Sequence, residues 1–147
     1  MATALYGKGR EHFGKGDIVW KNSGGSTIKA TLIDAADYAI GENIDVHEYM
    51  NTNTVPAAAK VATVTLTLVD CALGVCDAAD AVFEDVTGDP CEAIIIWKDG
   101  GDGGTSESGT NDLLIAYLDN VSGLPITPNG QDINIAWDSG ANKIFKL

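Results

Sequence analysis

Residues 9–16, GREHFGKG, come closest to a chemical motif in this chain. They match the phosphate-binding loop G-x-x-x-x-G-K, but Gly16 stands where a hydroxyl residue would hold magnesium. That loop also needs a strand before it and a helix after it. Here the sequence predicts a weak helix at residues 4–13 and a strand at residues 17–20. We therefore expect no nucleotide binding.

The two histidines do not form a zinc motif. His47 and Glu48 begin as a helical zinc motif does, but Asn51 stands where the second imidazole is needed. His12 is the only other histidine. We expect both to be ordinary surface or helix-end residues and predict no metal centre with standard ligand spacing.

The three cysteines are Cys71, Cys76 and Cys91, an odd number that cannot pair fully within one chain. With no secretory signal in the first sixteen residues, this count favours a reducing compartment and small buried thiols. A Cys–His nucleophile pair stays open, but no nucleophile elbow accompanies it. No pair of acidic residues is marked out for glycoside chemistry either. We expect no enzymatic activity and no cofactor.

Residues 98–111 form a glycine-rich segment that carries Asp99 and Asp102. Carboxylates on a flexible glycine backbone are a weak cation-binding candidate. The segment has neither the alternating acids nor the terminal glutamate of an EF-hand. Its composition cannot bury apolar surface, so we predict a mobile, solvated loop between two strands.

The rest of the chain reads as short strands separated by Gly, Asp, Asn and Pro. Residues 61–69 alternate apolar and polar side chains, as a half-buried strand does, whereas residues 94–97 and 113–115 are continuously apolar. We place those two runs at the centre of the fold. The other predicted strands are residues 17–20, 27–34, 81–86, 132–138 and 143–147.

These elements predict a mainly β protein, an antiparallel β-sandwich or barrel-like domain with a short N-terminal helical segment. We assign residues 1–147 to one domain, with a helical arm at residues 1–16 and a β-rich body at residues 17–147. Residues 45–50 are spaced like a further short helix. A chain of 147 residues is long enough to form one core.

The formal charge is −12, from 21 acidic and 9 basic residues. Nucleic-acid binding relies on clustered lysine and arginine, and the sequence contains no basic run. The longest apolar runs are too short to span a bilayer. We expect neither nucleic acid nor membrane as a partner, and interpret the acidic surface as a source of solubility rather than of attraction to basic partners or cations.

The whole chain resembles a family of small virion structural proteins of tailed bacteriophages. The resemblance is one of order and spacing, and it rests most on the last third of the sequence. The matching segments are residues 5–13 in the pattern LYxKGRxxF, 28–29 (IK), 32–34 (LID), 92–96 (EAIII), 123–130 (GLPITPNG), 132–138 (DINIAWD) and 140–147 (GANKIFKL).

This resemblance implies a non-enzymatic particle protein with a helical start and a β-rich body. The role it implies is that of a decoration or cement protein on the outer capsid surface, made in the host cytoplasm. Its partners would be the major capsid protein and other copies of itself, as a homotrimer. The alternative is a tail or head-fibre binding module that recognises a host surface component.

We predict that aromatic and aliphatic residues outside the main strands contact the capsid or a neighbouring subunit. The apolar residues at the end of the sequence dock either into the domain's own sheet, which we favour, or into a neighbouring subunit. The predicted interface residues are Leu5, Tyr6, Phe13, Trp20, Phe145 and Leu147.

Overall fold

The computed structural model describes residues 4–38, 40 and 44–147. They form an antiparallel, mainly β fold, as predicted, with no closed barrel in these ranges. The elements in chain order are β1 (Ala4–Leu5), α1 (Gly7–Lys15), β2 (Thr27–Ile33), a 3-10 turn (Ala57–Ala59), β3 (Lys60–Thr65), β4 (Asp70–Ala72), β5 (Val75–Asp77), β6 (Ala81–Phe83), β7 (Ala93–Asp99), β8 (Leu113–Leu118), β9 (Ile133–Ile135) and β10 (Phe145–Lys146).

A five-stranded antiparallel sheet in the order β1-β8-β7-β2-β3 forms the centre of the molecule. Its middle strand, β7, pairs along its length with β2 on one side and with β8 on the other. Two small sheets accompany it, β10-β5-β4 and β6-β9. The prediction that the two continuously apolar runs lie at the centre is confirmed, because they are β7 and β8.

The β7 strand is buried on both faces. Ile94 and Ile96 point to one face, and Ile95 and Trp97 to the other, each with at most 1% of its surface exposed. Burying one such side chain contributes about 1.5–3 kcal/mol. A strand with no polar face needs a covering layer on each side.

Each face of the central sheet has its own covering layer. The small sheets cover the first face with apolar side chains such as Phe83, Ile135 and Phe145. The connection between β2 and β3 covers the second face, using Tyr38 and Met50 among others. The sandwich is therefore asymmetric, with strands on one side and largely irregular chain on the other.

The buried indole of Trp97 is satisfied within the sheet. Its Nε1–H donates to the Thr31 hydroxyl at 2.9 Å, and Thr31 is in turn bonded to the Thr63 hydroxyl at 2.8 Å. Buried polar groups without such partners destabilise a fold. This chain of bonds explains why two threonines occupy β2 and β3 at adjacent positions.

The residues predicted to form a helical arm are part of the body. Helix α1 begins at Gly7 and ends at Lys15, with Gly16 in the left-handed conformation that closes it. Ala4–Leu5 is not helical, because it pairs with β8 as an edge strand. Residues 1–3 of the predicted arm lie outside the described ranges.

Two other local predictions are wrong. Residues 17–20 form no strand, because Val19 bonds with Ser26 in a turn. The helix predicted at residues 45–50 does not form beyond a 3-10 turn that ends at Asp45, since Tyr49 bridges to Leu113 and the backbone of Glu48 accepts a hydrogen bond from Leu114 N–H. Pairing with β8 satisfies the backbone there, so the local helical spacing has no effect.

The alternating run at residues 61–69 is a strand only as far as Thr65. Leu68, predicted to face inward, is 66% exposed and has a φ of 52°. Beyond it lies an unpredicted hairpin, β4 and β5, joined by Leu73 and Gly74.

No helix in the described ranges is long and apolar enough to cross a membrane.

The cysteines also differ from prediction. Cys71 and Cys76 are directly opposite each other on β4 and β5 and form a disulfide, while Cys91 is a buried free thiol. The odd count thus reflects one pair and one free cysteine. The expectation of three unpaired thiols is wrong, because the hairpin register brings two of them together.

Substitution of Gly9 tests how closely α1 packs on the central sheet. A Cβ at Gly9 would lie 2.6 Å from the Leu114 carbonyl oxygen, whereas a Cβ at Gly14 meets nothing within 4 Å. Gly9→Ala should therefore lower the free energy of unfolding by about 1–3 kcal/mol. Gly14→Ala should raise it by about 0.5–1 kcal/mol through helix propensity alone. Urea unfolding measures both, and equal effects would contradict this packing.

A thiol count tests the disulfide. Denatured but unreduced protein should react with one equivalent of a thiol-specific dye, from Cys91. The native protein should react slowly, because that thiol is buried. Three reactive thiols in protein protected from reduction would contradict the Cys71–Cys76 bond.

Candidate assembly surface

Three of the six predicted interface residues, Tyr6, Trp20 and Phe145, are buried in the core, and Phe13 packs against it. Trp20 packs edge-on against Phe145 with ring centroids 5.0 Å apart, and Phe13 tilts against Phe145 at 6.1 Å. Tyr6 is fully buried and its hydroxyl is bonded to the Tyr38 hydroxyl at 2.9 Å. Burial prevents Tyr6, Trp20 and Phe145 from reaching a partner, so as surface contacts these predictions are wrong.

The end of the sequence docks into the domain's own sheet, as favoured. Strand β10 pairs with β5, and the Leu147 backbone N–H donates to the Gly74 carbonyl at 2.9 Å. Phe145 points inward, whereas Leu147 remains 49% exposed. Of the six predicted residues, Leu5 and Leu147 line the surface, and both border the same groove.

That groove lies between β1 and β10 and has a volume of about 1150 Å³. Arg10 and Asp45 sit on one wall, 3.6 Å apart, and Lys143 and Lys146 lie on the other. Leu5 adds apolar surface. Mixed charges and a wide mouth give it no convergent set of catalytic groups.

The tip of the β4–β5 hairpin carries the most exposed large apolar residue in the described ranges. Leu73 at its tip is 98% exposed, and Leu68 just before β4 is 66% exposed. Both have a φ of 52°, in the left-handed region that is unfavourable for leucine by about 1–2 kcal/mol. At Leu73 the turn geometry favours Asn, because Gly74 follows in a two-residue loop.

Left-handed residues cluster on this side of the molecule. Four non-glycine residues in the described ranges have positive φ, and three of them, Leu68, Leu73 and Lys143, border the hairpin. Strained backbone of this kind concentrates at sites that contact ligands or partners. The Leu73 side chain gains almost no burial inside the subunit, because it is almost fully in solvent.

The outer face of the sheet β10-β5-β4 is a shallow hollow of about 400 Å³. Because Cys71 and Cys76 are linked, the alternating side chains of β4 and β5 fall on the opposite face. We call this the hairpin face. Its residues are Leu68, Asp70, Ala72, Leu73, Val75, Asp77, Ala78, Ala79, Lys143 and Lys146.

The glycine-rich loop is fixed rather than mobile. Asp99 forms an ion pair with Lys29 at 2.8 Å and accepts hydrogen bonds from the Gly101 and Gly103 backbone N–H groups. The Lys29 ammonium lowers the pKa of Asp99 to about 2. Asp102 accepts a bond from the Asn111 amide at 3.1 Å.

Asp112 anchors the same loop and was not singled out in the sequence. It is 2% exposed, and its two carboxylate oxygens accept the Gly100 and Gly104 backbone N–H groups at 2.7 and 2.6 Å. Lys60 donates to the Gly104 and Met50 carbonyl oxygens. Burial lowers the pKa of Lys60 to about 8. The sequence signal for Asp112 is its position directly after the glycine-rich segment, residues 98–111.

The weak cation candidates therefore have other partners. Lys29 neutralises Asp99, so the loop presents no pair of free carboxylates. A different trio, Asp34, Asp37 and Asp89, brings carboxylate oxygens within 4.8 Å of one another, with two of the three exposed. Such clusters are common on acidic surfaces without an ion.

The possible nucleophiles and bases are engaged elsewhere. His12 bonds Asp17 and Glu48, each at 2.8 Å, and His47 bonds the Tyr38 hydroxyl at 2.8 Å. Burial raises the pKa of the Cys91 thiol to about 11, which disfavours the reactive thiolate. These contacts give the described residues no assembled nucleophile and base.

Neither the protein-family models nor the curated proteins give a match to this chain.

The Lys29–Asp99 pair makes loop stability depend on pH. The folded-state pKa of about 2 lies below the ordinary 3.8, so the stabilisation is complete above about pH 4 and is lost as the pH falls through 2. Asp99→Asn should lower the free energy of unfolding at pH 7, and its difference from the wild type should shrink between pH 4 and 2. Glu107→Gln, on the same loop but exposed, is the control in urea unfolding. A constant difference at every pH would contradict the assignment.

Proposed function

We propose that this protein is a non-enzymatic structural protein of a tailed-bacteriophage particle. Its role is that of a decoration or cement protein that binds the outer capsid surface and stabilises the head as a homotrimer. The sequence resemblance supplies the phage context. The observation that carries the structural role is the pair of exposed, left-handed leucines, Leu68 and Leu73.

Those leucines support adhesion rather than catalysis. Leaving a leucine in water forgoes about 1.5–3 kcal/mol of burial free energy, and the left-handed backbone adds a further cost. A contact outside the subunit recovers the burial term. Exposed apolar residues on and beside a disulfide-closed hairpin therefore favour a role in binding another protein surface.

The rest of the architecture fits a rigid building block. Apolar side chains cover both faces of the central sheet. Hydrogen bonds to Asp112 and from Lys60 fix the glycine-rich loop. Cys91, the one free thiol, is buried with a raised pKa. A subunit of this kind stabilises a shell by binding only its assembled state, and many copies per particle multiply a modest contact.

The alternative role, a fibre or tail module that binds a host surface component, gains no support from the tryptophans. Such sites commonly present aromatic platforms to their ligands. Trp20, Trp97 and Trp137 are 6%, 1% and 9% exposed. The indole N–H groups of Trp20 and Trp137 donate to backbone carbonyls. We therefore retain the decoration role as the proposal.

Binding to capsids that lack the protein tests this function. We expect wild-type protein to co-sediment saturably with such capsids and to raise their disruption temperature. Leu73→Asn should weaken this binding by about tenfold or more, because it removes the contact that Leu73 makes outside the subunit and with it the gain from attaching several linked copies at once. The same change should raise the subunit's own free energy of unfolding by about 0.5–1 kcal/mol, because Asn-Gly suits the turn.

Val82→Thr provides the matched control. Val82 is 42% exposed on β6, outside the hairpin face, and threonine keeps its shape and strand propensity. This variant should bind as the wild type does. Failure of the wild type to bind any shell, or equal binding by Leu73→Asn, would contradict the proposal.

A further inference from the structure

The hairpin face combines a projecting side chain with a hollow beside it. Leu73 extends from the turn, while Leu68, Ala72, Val75, Ala78 and Ala79 line the depression of about 400 Å³. A small-residue floor with an apolar rim accepts an aliphatic side chain. The face therefore carries both halves of a knob-and-hollow contact.

The charges on this face are balanced, unlike those of the whole protein. Asp70 and Asp77 lie beside Lys143 and Lys146, so the two acids and two bases cancel. The chain as a whole carries −12. Two copies repel each other over most of their surfaces, and this face is a place where they can approach without like-charge repulsion.

Two of the four charges are available for an intermolecular contact. Lys143 already lies 3.6 Å from Asp77. Asp70 and Lys146 are both exposed, on the two outer strands of the small sheet, and form no ion pair with any described residue. A second copy placed over the face brings the Asp70 of one subunit towards the Lys146 of the other.

We propose that the hairpin face binds a second copy of this chain, with Leu73 of one subunit seated in the hollow of its neighbour. The inference rests on the proposed function and refines it, because it assigns self-association to a surface. When Leu73 of each subunit enters the hollow of the next, the contact is heterologous and closes as a ring, as a trimer requires.

The disulfide preorganises this contact. Cys71 and Cys76 close the hairpin immediately around its turn, which holds Leu73 in its left-handed conformation. Two strands of three residues are marginal on their own. Fixing the hairpin before docking lowers the entropy that association would otherwise lose.

Charge reversal combined with solution mass tests the proposal. Size exclusion with light scattering should show the wild type as an oligomer at micromolar concentration, and Leu73→Asn as a monomer. Asp70→Lys and Lys146→Glu should each weaken self-association by about tenfold, because each places like charges opposite each other. The double variant Asp70→Lys/Lys146→Glu, in which every contact again joins opposite charges, should regain the oligomer.

Val82→Thr and Glu107→Gln are the controls, since both change exposed positions outside the hairpin face, and both should stay oligomeric. A monomeric wild type, or a double variant that stays monomeric as each single variant does, would overturn the inference. Capsid binding by a monomeric wild type would overturn self-association at this face and leave the capsid-binding function intact. If the wild type is an oligomer that Leu73→Asn disrupts, but the wild type binds no capsid, self-association at this face stands and the capsid-binding function is wrong.

Discussion

The doubly buried strand β7 is the constraint on which the rest of the structure depends. Four consecutive apolar residues, Ile94 to Trp97, give it no face for water, so each side of the central sheet must be covered by other chain. The connection between β2 and β3 covers one side and the two small sheets cover the other. Polar groups enter this core only where they are bonded, as at Trp97 and Thr31.

Covering β7 also creates the surface that we consider functional. The sheet β10-β5-β4 contributes its inner side, with Phe145 and Cys76, to the core. Because side chains alternate along a strand, its outer side necessarily projects away from the body. Apolar residues placed there, above all Leu73, do not stabilise the isolated subunit. The same small sheet therefore connects core formation to assembly.

Much of the fold was predictable because hydrophobic periodicity reports burial directly. Continuous runs identified β7 and β8, and the sheet docking of Phe145 followed from its apolar neighbours. The helix predicted at residues 45–50 failed because β8 offers that backbone a better partner. A local pattern contains no information about which distant strand is available.

The candidate site was harder to predict than the core. Aromatic residues outside the main strands were expected at the surface, yet Trp20 and Tyr6 are buried because they fill the layers around the sheet. The hairpin went unpredicted because Leu73-Gly74 is an unusual turn sequence. Its leucines look like core residues in the sequence, and only their exposure and backbone conformation reveal them as surface features.

Amide hydrogen exchange on the protein at low concentration and after assembly on capsids tests the central claim most directly. If the hairpin face is the docking surface, amides at residues 68–77 and 143–147 gain protection on assembly, while those of the already buried β7 change little. Unchanged exchange at residues 68–77, with new protection confined to other surfaces, would contradict the account.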